Sequence, residues 1–177
     1  MSDIARAFLD HSRTFLLHEL LPRARAAAER LPEEELWWRP NEASNSVGNL
    51  LLHLAGNVRQ WIVSGVGGAP DVRRRQEEFD QREPLPLEEL LARLTRAVED
   101  AAAVIGSLDP ATLLETVRVQ GRSVTTMEAI YHVVEHFSMH TGQILYIVKL
   151  RTGEDLGFYQ MIDGIPRAAW PGQARNP

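Results

Sequence analysis

The chain has 177 residues, enough for about one domain with an ordinary core, and its 44% apolar and 24% charged residues are those of a soluble globular protein. It contains no cysteine, which excludes disulfides, thiolate ligands and a cysteine nucleophile and fits a reducing compartment. A formal net charge of −5 and a pI near 5.7 argue against a nucleic-acid or anionic-membrane partner, no apolar run approaches the ~18 residues of a membrane span, and the first residues lack the apolar core of a secretory signal, so the expected address is the cytoplasm.

In chain order, residues 2 or 3 to 30 read as a helix, because Ile4, Phe8, Leu9, Phe15, Leu16 and Leu20 recur at helical spacing and Ala24 to Ala28 continue the stripe. Pro22 marks an expected kink. His11 and His18 have no ligand-type partner one turn away and read as ordinary surface or half-buried residues. Residues 31–46 form a connection with at most one helical turn, ended before Pro40, and Trp37 and Trp38 are assigned to packing. Asn45 or Ser46 caps a second helix over residues 47–63, which stops in the glycines of SGVGG.

Residues 65–86 are a long, highly charged connection with one helical piece around residues 72–79. Their alternating arginines and acids read as a solvated face, with Phe79 the exception that requires burial. A third helix over residues 87–108 carries a stripe of leucine, valine and alanine with no ligand-type residue on it, so it is scaffold. Residues 113–125 alternate in character and are expected to form a small hairpin or extended loop that turns at Gln120–Gly121. Thr125 or Thr126 then caps a fourth helix over residues 127–150. The remainder, residues 153–177, has no period and reads as an irregular tail. Phe158, Tyr159, Met161, Ile162 and Trp170 make it too apolar to hang free, so it is expected to pack on the bundle or on a second subunit. The fold class is therefore all-α, a four-helix bundle over residues 1–152.

The fourth helix holds three of the six histidines, His132, His136 and His140. Spacing by four places them along one side of a helix, but the outer two lie ~12 Å apart along the axis, too far to share an ion reached by ~2 Å bonds. On a helical wheel His140 leans toward the apolar arc, His136 sits at its edge and His132 leans toward the charged side, which favours the pair 136 and 140. His53 occupies the corresponding edge of the second helix, so packing of the two helices brings three imidazoles together. No glutamate has a histidine three residues on, no GxSxG elbow occurs and no Walker-type loop occurs, which sets aside a bundle di-iron site, a serine triad and a phosphate loop.

SNSVGNLLLHLAGN in the second helix, the WRP turn before it, and HVVEHFSMHTGQI in the fourth together resemble the DinB/YfiT-like superfamily of metal-dependent proteins, over residues 38–150. The resemblance implies a four-helix bundle of up-down-down-up topology, a homodimer, and a divalent ion held by three histidines. Carried over position by position, the ligands are His53, His136 and His140. His132 is not required by the pattern. Related branches include thiol-dependent transferases and isomerases, so the implied chemistry is activation of a low-molecular-weight thiol, or of water, for attack on an electrophilic small molecule. Zinc is the first metal expected, with nickel, iron and manganese open, because nitrogen ligands without cysteine discriminate weakly. Asn57, one turn from His53, and Gln143, near His140, are candidates to support the ligands. The non-catalytic alternative is a metal-binding helical dimer with a binding or structural role in stress.

Overall fold

The computed structural model describes residues 2–170, which are mainly helical with two small antiparallel hairpins. The first helix, α1, runs through Ser2–Thr14, a π-helical stretch at Phe15–Leu20, and Leu21–Ala28. Instead of breaking the helix, Pro22 follows directly on this widened turn, and the chain continues helical beyond it. Because proline has no N–H, the His18 carbonyl lacks its usual donor four residues on. The indole N–H of Trp170, from the far end of the chain, reaches that carbonyl at 3.5 Å.

The second helix, α2, comprises Val47–Val58 and a π-helical continuation, Arg59–Val66. Ser46 starts it with a capping box: Ser46 Oγ accepts from Asn49 N at 3.1 Å, and Asn49 Oδ1 accepts from Ser46 N at 3.2 Å. A short α3 (Arg75–Asp80) interrupts the charged connection, and α4 (Leu87–Ser107) follows. Thr125 and Glu128 form a second capping box at the start of α5 (Thr126–Thr152), whose other end is closed by Gly153 in the left-handed region at φ 70°.

The strands β1 (Thr116–Val119) and β2 (Arg122–Thr125) pair antiparallel, with Thr116 opposite Thr125 and Val119 opposite Arg122. Gln120 and Gly121 make the two-residue turn with φ of 53° and 74°, the pair of positive values that matches strand twist. The tail departs from the irregular chain expected there: β3 (Tyr159–Ile162) and β4 (Ile165–Ala168) form a second hairpin around Asp163–Gly164. An Asp-Gly dipeptide between apolar residues favours that turn for the same backbone reason. Leu156, Phe158 and Trp170 are buried, and the Arg23 guanidinium lies 3.7 Å from the Trp170 ring centroid, so this end of the chain packs on α1. Residues 171–177 of the expected tail lie outside the described residues.

Helices α1 and α2 each pack against α4 and α5. Their apolar stripes meet in one core that includes Leu16, Leu51, Leu54, Leu94, Ile130 and Phe137, all fully buried. Full burial of such side chains stabilises by roughly 1.5–3 kcal/mol each before the cost of ordering the chain. Trp37 joins this core, lying against Gly48, where a Cβ would come 2.8 Å from the indole ring. Trp38 is half-buried under the Arg151 guanidinium, 4.4 Å from its ring centroid. Among the described residues no helix is long and apolar enough to cross a membrane.

Candidate metal centre

The packing of α2 against α5 brings His53, His136 and His140 together, with ligand atoms all within 4.8 Å of one another. His53 is 3% exposed, while the other two are half-buried. His136 Nε2 lies 3.1 Å from His53 Nε2 and 3.2 Å from His140 Nε2. Two imidazole nitrogens bound at ~2.0–2.1 Å to one tetrahedral ion stand about 3.3–3.4 Å apart, so these separations are close to what a shared ion requires.

The outward nitrogens show which atoms carry protons. His53 Nδ1 lies 2.9 Å from Glu78 Oε2. Burial opposes ionisation of Glu78, but hydrogen bonds from Arg73 and His53, together with their charge, outweigh it and hold the carboxyl below the ordinary range. A carboxylate only accepts, so His53 Nδ1–H is the donor and its Nε2 presents a lone pair. His140 Nδ1–H likewise donates to Gln143 Oε1 at 2.7 Å, turning its own Nε2 lone pair inward.

His136 cannot satisfy this arrangement alone. With its proton on Nε2 it reaches only one of the two facing lone pairs; with its proton on Nδ1 it buries a donor, and that Nδ1 has no hydrogen-bond partner. A cation among three lone pairs resolves the conflict, so the donor set fits a divalent ion. The site also favours neutral imidazoles. Burial, then the neighbouring His140 and His53, push His136 down to about 3. Burial likewise lowers His140, against a raising hydrogen bond from Gln143.

The remaining predicted residues lie around this cluster. His132 stands beside it, not in it: its ring centroid is 5.3 Å from that of His136 and 4.1 Å from that of Trp61, and burial lowers its pKa. Asn57 is 3% exposed, and its Oδ1 has no hydrogen-bond partner. Gln143 is exposed and holds His140.

Glu78 and Arg73 were absent from the sequence expectations, which placed them on a solvated face. The structure corrects this: their side chains are 11% and 5% exposed. Arg73 grips both carboxylate oxygens, Nε to Oε1 at 2.7 Å and Nη2 to Oε2 at 2.8 Å, and its Nη1 donates to Gln60 Oε1 at 2.9 Å. The available signal was Phe79, the one aromatic in the charged stretch. Its ring packs 4.7 Å from that of His53 and carries its neighbour Glu78 to the site.

A family model described as "Protein of unknown function (DUF1572)" matches residues 3–167. A search of curated proteins gives no match. Among solved structures, the chain is similar to a DinB-like protein, YjoA, from Bacillus subtilis, with a TM-score of 0.60 and 21% identity over 84% of this chain and 93% of that one. At that identity the likeness concerns the fold, and it agrees with the motifs around His53 and His136. The chain belongs to the DUF1572 family, and its fold is DinB-like.

Proposed function

We propose that the chain binds one divalent metal ion on His53, His136 and His140 and uses it in a transferase or hydrolase reaction on an electrophilic small molecule. The observation that carries this reading is the convergence of three Nε2 atoms, two of them turned inward by Nδ1–H bonds to Glu78 and Gln143. Zinc is the first choice, with nickel, iron or manganese as substitutes. Three imidazoles leave a four-coordinate ion one open position, the arrangement of a catalytic site. A bound ion supplies a Lewis acid that lowers the pKa of a low-molecular-weight thiol or of water toward neutrality. The protein keeps the imidazoles neutral by burial and fixes two of them through their Nδ1 atoms. His132, resting on Trp61 beside the cluster, is assigned to substrate contact and not to the ion.

In the same reading α1, α2, α4 and α5 form a four-helix bundle of up-down-down-up topology over residues 1–152, in a cytoplasmic protein. A second reading, a non-catalytic metal-binding homodimer, draws support from exposed apolar residues along α5: Tyr131, Met139, Tyr146 and Leu150 are each at least half exposed. Light scattering on the purified chain tests the dimer.

Metal analysis of protein purified without a histidine tag tests the centre. About one equivalent of divalent metal is expected, lost in His53→Ala and His136→Ala. Metal content unchanged by both substitutions would sink the site. The thiol is tested on cobalt-substituted protein: if low-molecular-weight thiols neither bind nor change its spectrum, water remains the nucleophile.

A further inference from the structure

An imidazole without a fixed partner exchanges its proton between two nitrogens, and one of these tautomers blocks the atom needed for a metal. In this chain a carboxylate from another element sets the choice for His53. Glu78 comes from α3, and its Oε2 meets the Nδ1–H of His53 at 2.9 Å. The carboxylate is itself held at both oxygens by Arg73, and Arg73 is held by Gln60 of α2. Arg73 Nη2 also comes within 3.2 Å of His53 Nδ1; these are two N–H groups aimed at the same oxygen.

Gly56, one turn along α2 from His53, makes room for this network. A Cβ at that position would lie 2.0 Å from Glu78 Oε1 and 2.9 Å from Arg73 Nε. The nearer atom is the tip of a side chain, held there by hydrogen bonds and not by the backbone. A methyl group there would therefore displace the carboxylate while leaving the helix intact, since alanine suits a helix interior better than glycine.

We propose that Glu78 is a positioning residue of the metal centre, seated by Arg73 and by the space at Gly56, and that it fixes His53 as the tautomer whose Nε2 faces the ion. The inference rests on the three-histidine reading above. It assigns the charged connection before α4, through its short helix α3, control over a ligand on α2. Carboxylate partners of this kind typically change metal affinity by ~10–100-fold when removed.

The test compares wild-type protein with Glu78→Ala, Glu78→Gln, Gly56→Ala and His136→Ala. Zinc affinity is read by competition with a chromophoric chelator, and the His53 tautomer in metal-free protein by side-chain nitrogen NMR. Expected results are a His53 protonated at Nδ1 in the wild type, mixed tautomers in Glu78→Ala and Gly56→Ala, and zinc affinity ~10–100-fold weaker in both, with Glu78→Gln between them and the wild type. Gly56→Ala removes no polar group from the protein, so it answers the question even if Glu78→Ala is poorly folded. A wild-type His53 protonated at Nε2 would overturn the proposal. So would zinc affinity within about twofold of wild type in Glu78→Ala and Gly56→Ala while His136→Ala loses binding. Equal zinc binding by the wild type and His136→Ala would instead overturn the metal centre, and the tautomer measurement would still decide the role of Glu78.

Discussion

His53 Nε2 and His136 Nε2 lie 3.1 Å apart, on helices whose contributing residues are 83 positions apart in sequence. At most one proton fits between them, and His140 presents a third nitrogen to the same place. The metal-free fold therefore leaves imidazole lone pairs facing one another without an electron-pair acceptor to share, while its apolar core is complete. Zinc should raise thermal stability without being needed for folding. At free zinc about 100-fold above its dissociation constant the gain is about 2.7 kcal/mol. Thermal melts with and without a chelator measure this, and a melting point indifferent to zinc would count against the centre.

Acid should weaken the metal-free protein in a window set by His136. Its folded pKa is pushed down to about 3, while an unfolded histidine titrates near 6.5. Between those values the unfolded chain binds a proton that the folded chain refuses, so stability falls as pH drops through the window. Carboxylates such as Glu78, lowered in the fold, act in the same direction at lower pH. The diagnostic is the difference: His136→Phe should show a shallower loss of urea midpoint between about pH 6.5 and 5 than the wild type. Parallel curves would contradict it.

Asn57 buries an oxygen with no partner one turn from His53. Leucine has nearly the same shape and no polar atom to desolvate, so Asn57→Leu should stabilise the metal-free protein by about 1 kcal/mol. It should also weaken zinc retention, because an unsatisfied group kept beside a site implies a partner that arrives with the ligand. Urea unfolding and zinc competition read the two effects separately. A destabilised variant with unchanged zinc affinity would make Asn57 purely structural.

Trp170 should matter to the fold and not to the metal. It is 4% exposed, lies under Arg23 and donates to the His18 carbonyl. Trp170→Ala is expected to cost about 3 kcal/mol in urea unfolding, the low end for a buried aromatic because the site is at the edge of the core. Zinc stoichiometry should be unaffected; its loss would mean that the chain end reaches the centre.

The legible parts of the molecule were those written in local pattern. Ser46 and Thr125 cap their helices because a hydroxyl three residues before a suitable side chain is a short-range signal, and Gln120–Gly121 turns because both residues adopt positive φ. The apolar wheel separated His136 and His140 from His132, which stands against Trp61 instead. The second hairpin was signalled by Asp163–Gly164, but its strands are short and largely exposed, with no alternation for a pattern to reveal. The π-helical stretches at Phe15–Leu20 and Arg59–Val66 are too short for a period of their own to show, one lying within its helix and the other ending it. Arg73 and Glu78 were illegible for a different reason. Their charges neutralise each other in the fold, so side chains that look solvated in sequence lie side by side largely out of solvent.

Asn49 takes part in two structures at once. Its Oδ1 closes the first turn of α2, and its Nδ2 donates to the backbone carbonyls of Glu78 and Gln81 at 2.9 and 3.1 Å. Fraying of that turn therefore also releases the segment that carries Glu78. The amides of residues 47–50 and 78–81 should exchange hydrogen with solvent as one cooperative unit, at a common rate. That rate sets a limit in time rather than in affinity: it governs how often His53 loses its partner, and with it how quickly a bound ion can leave.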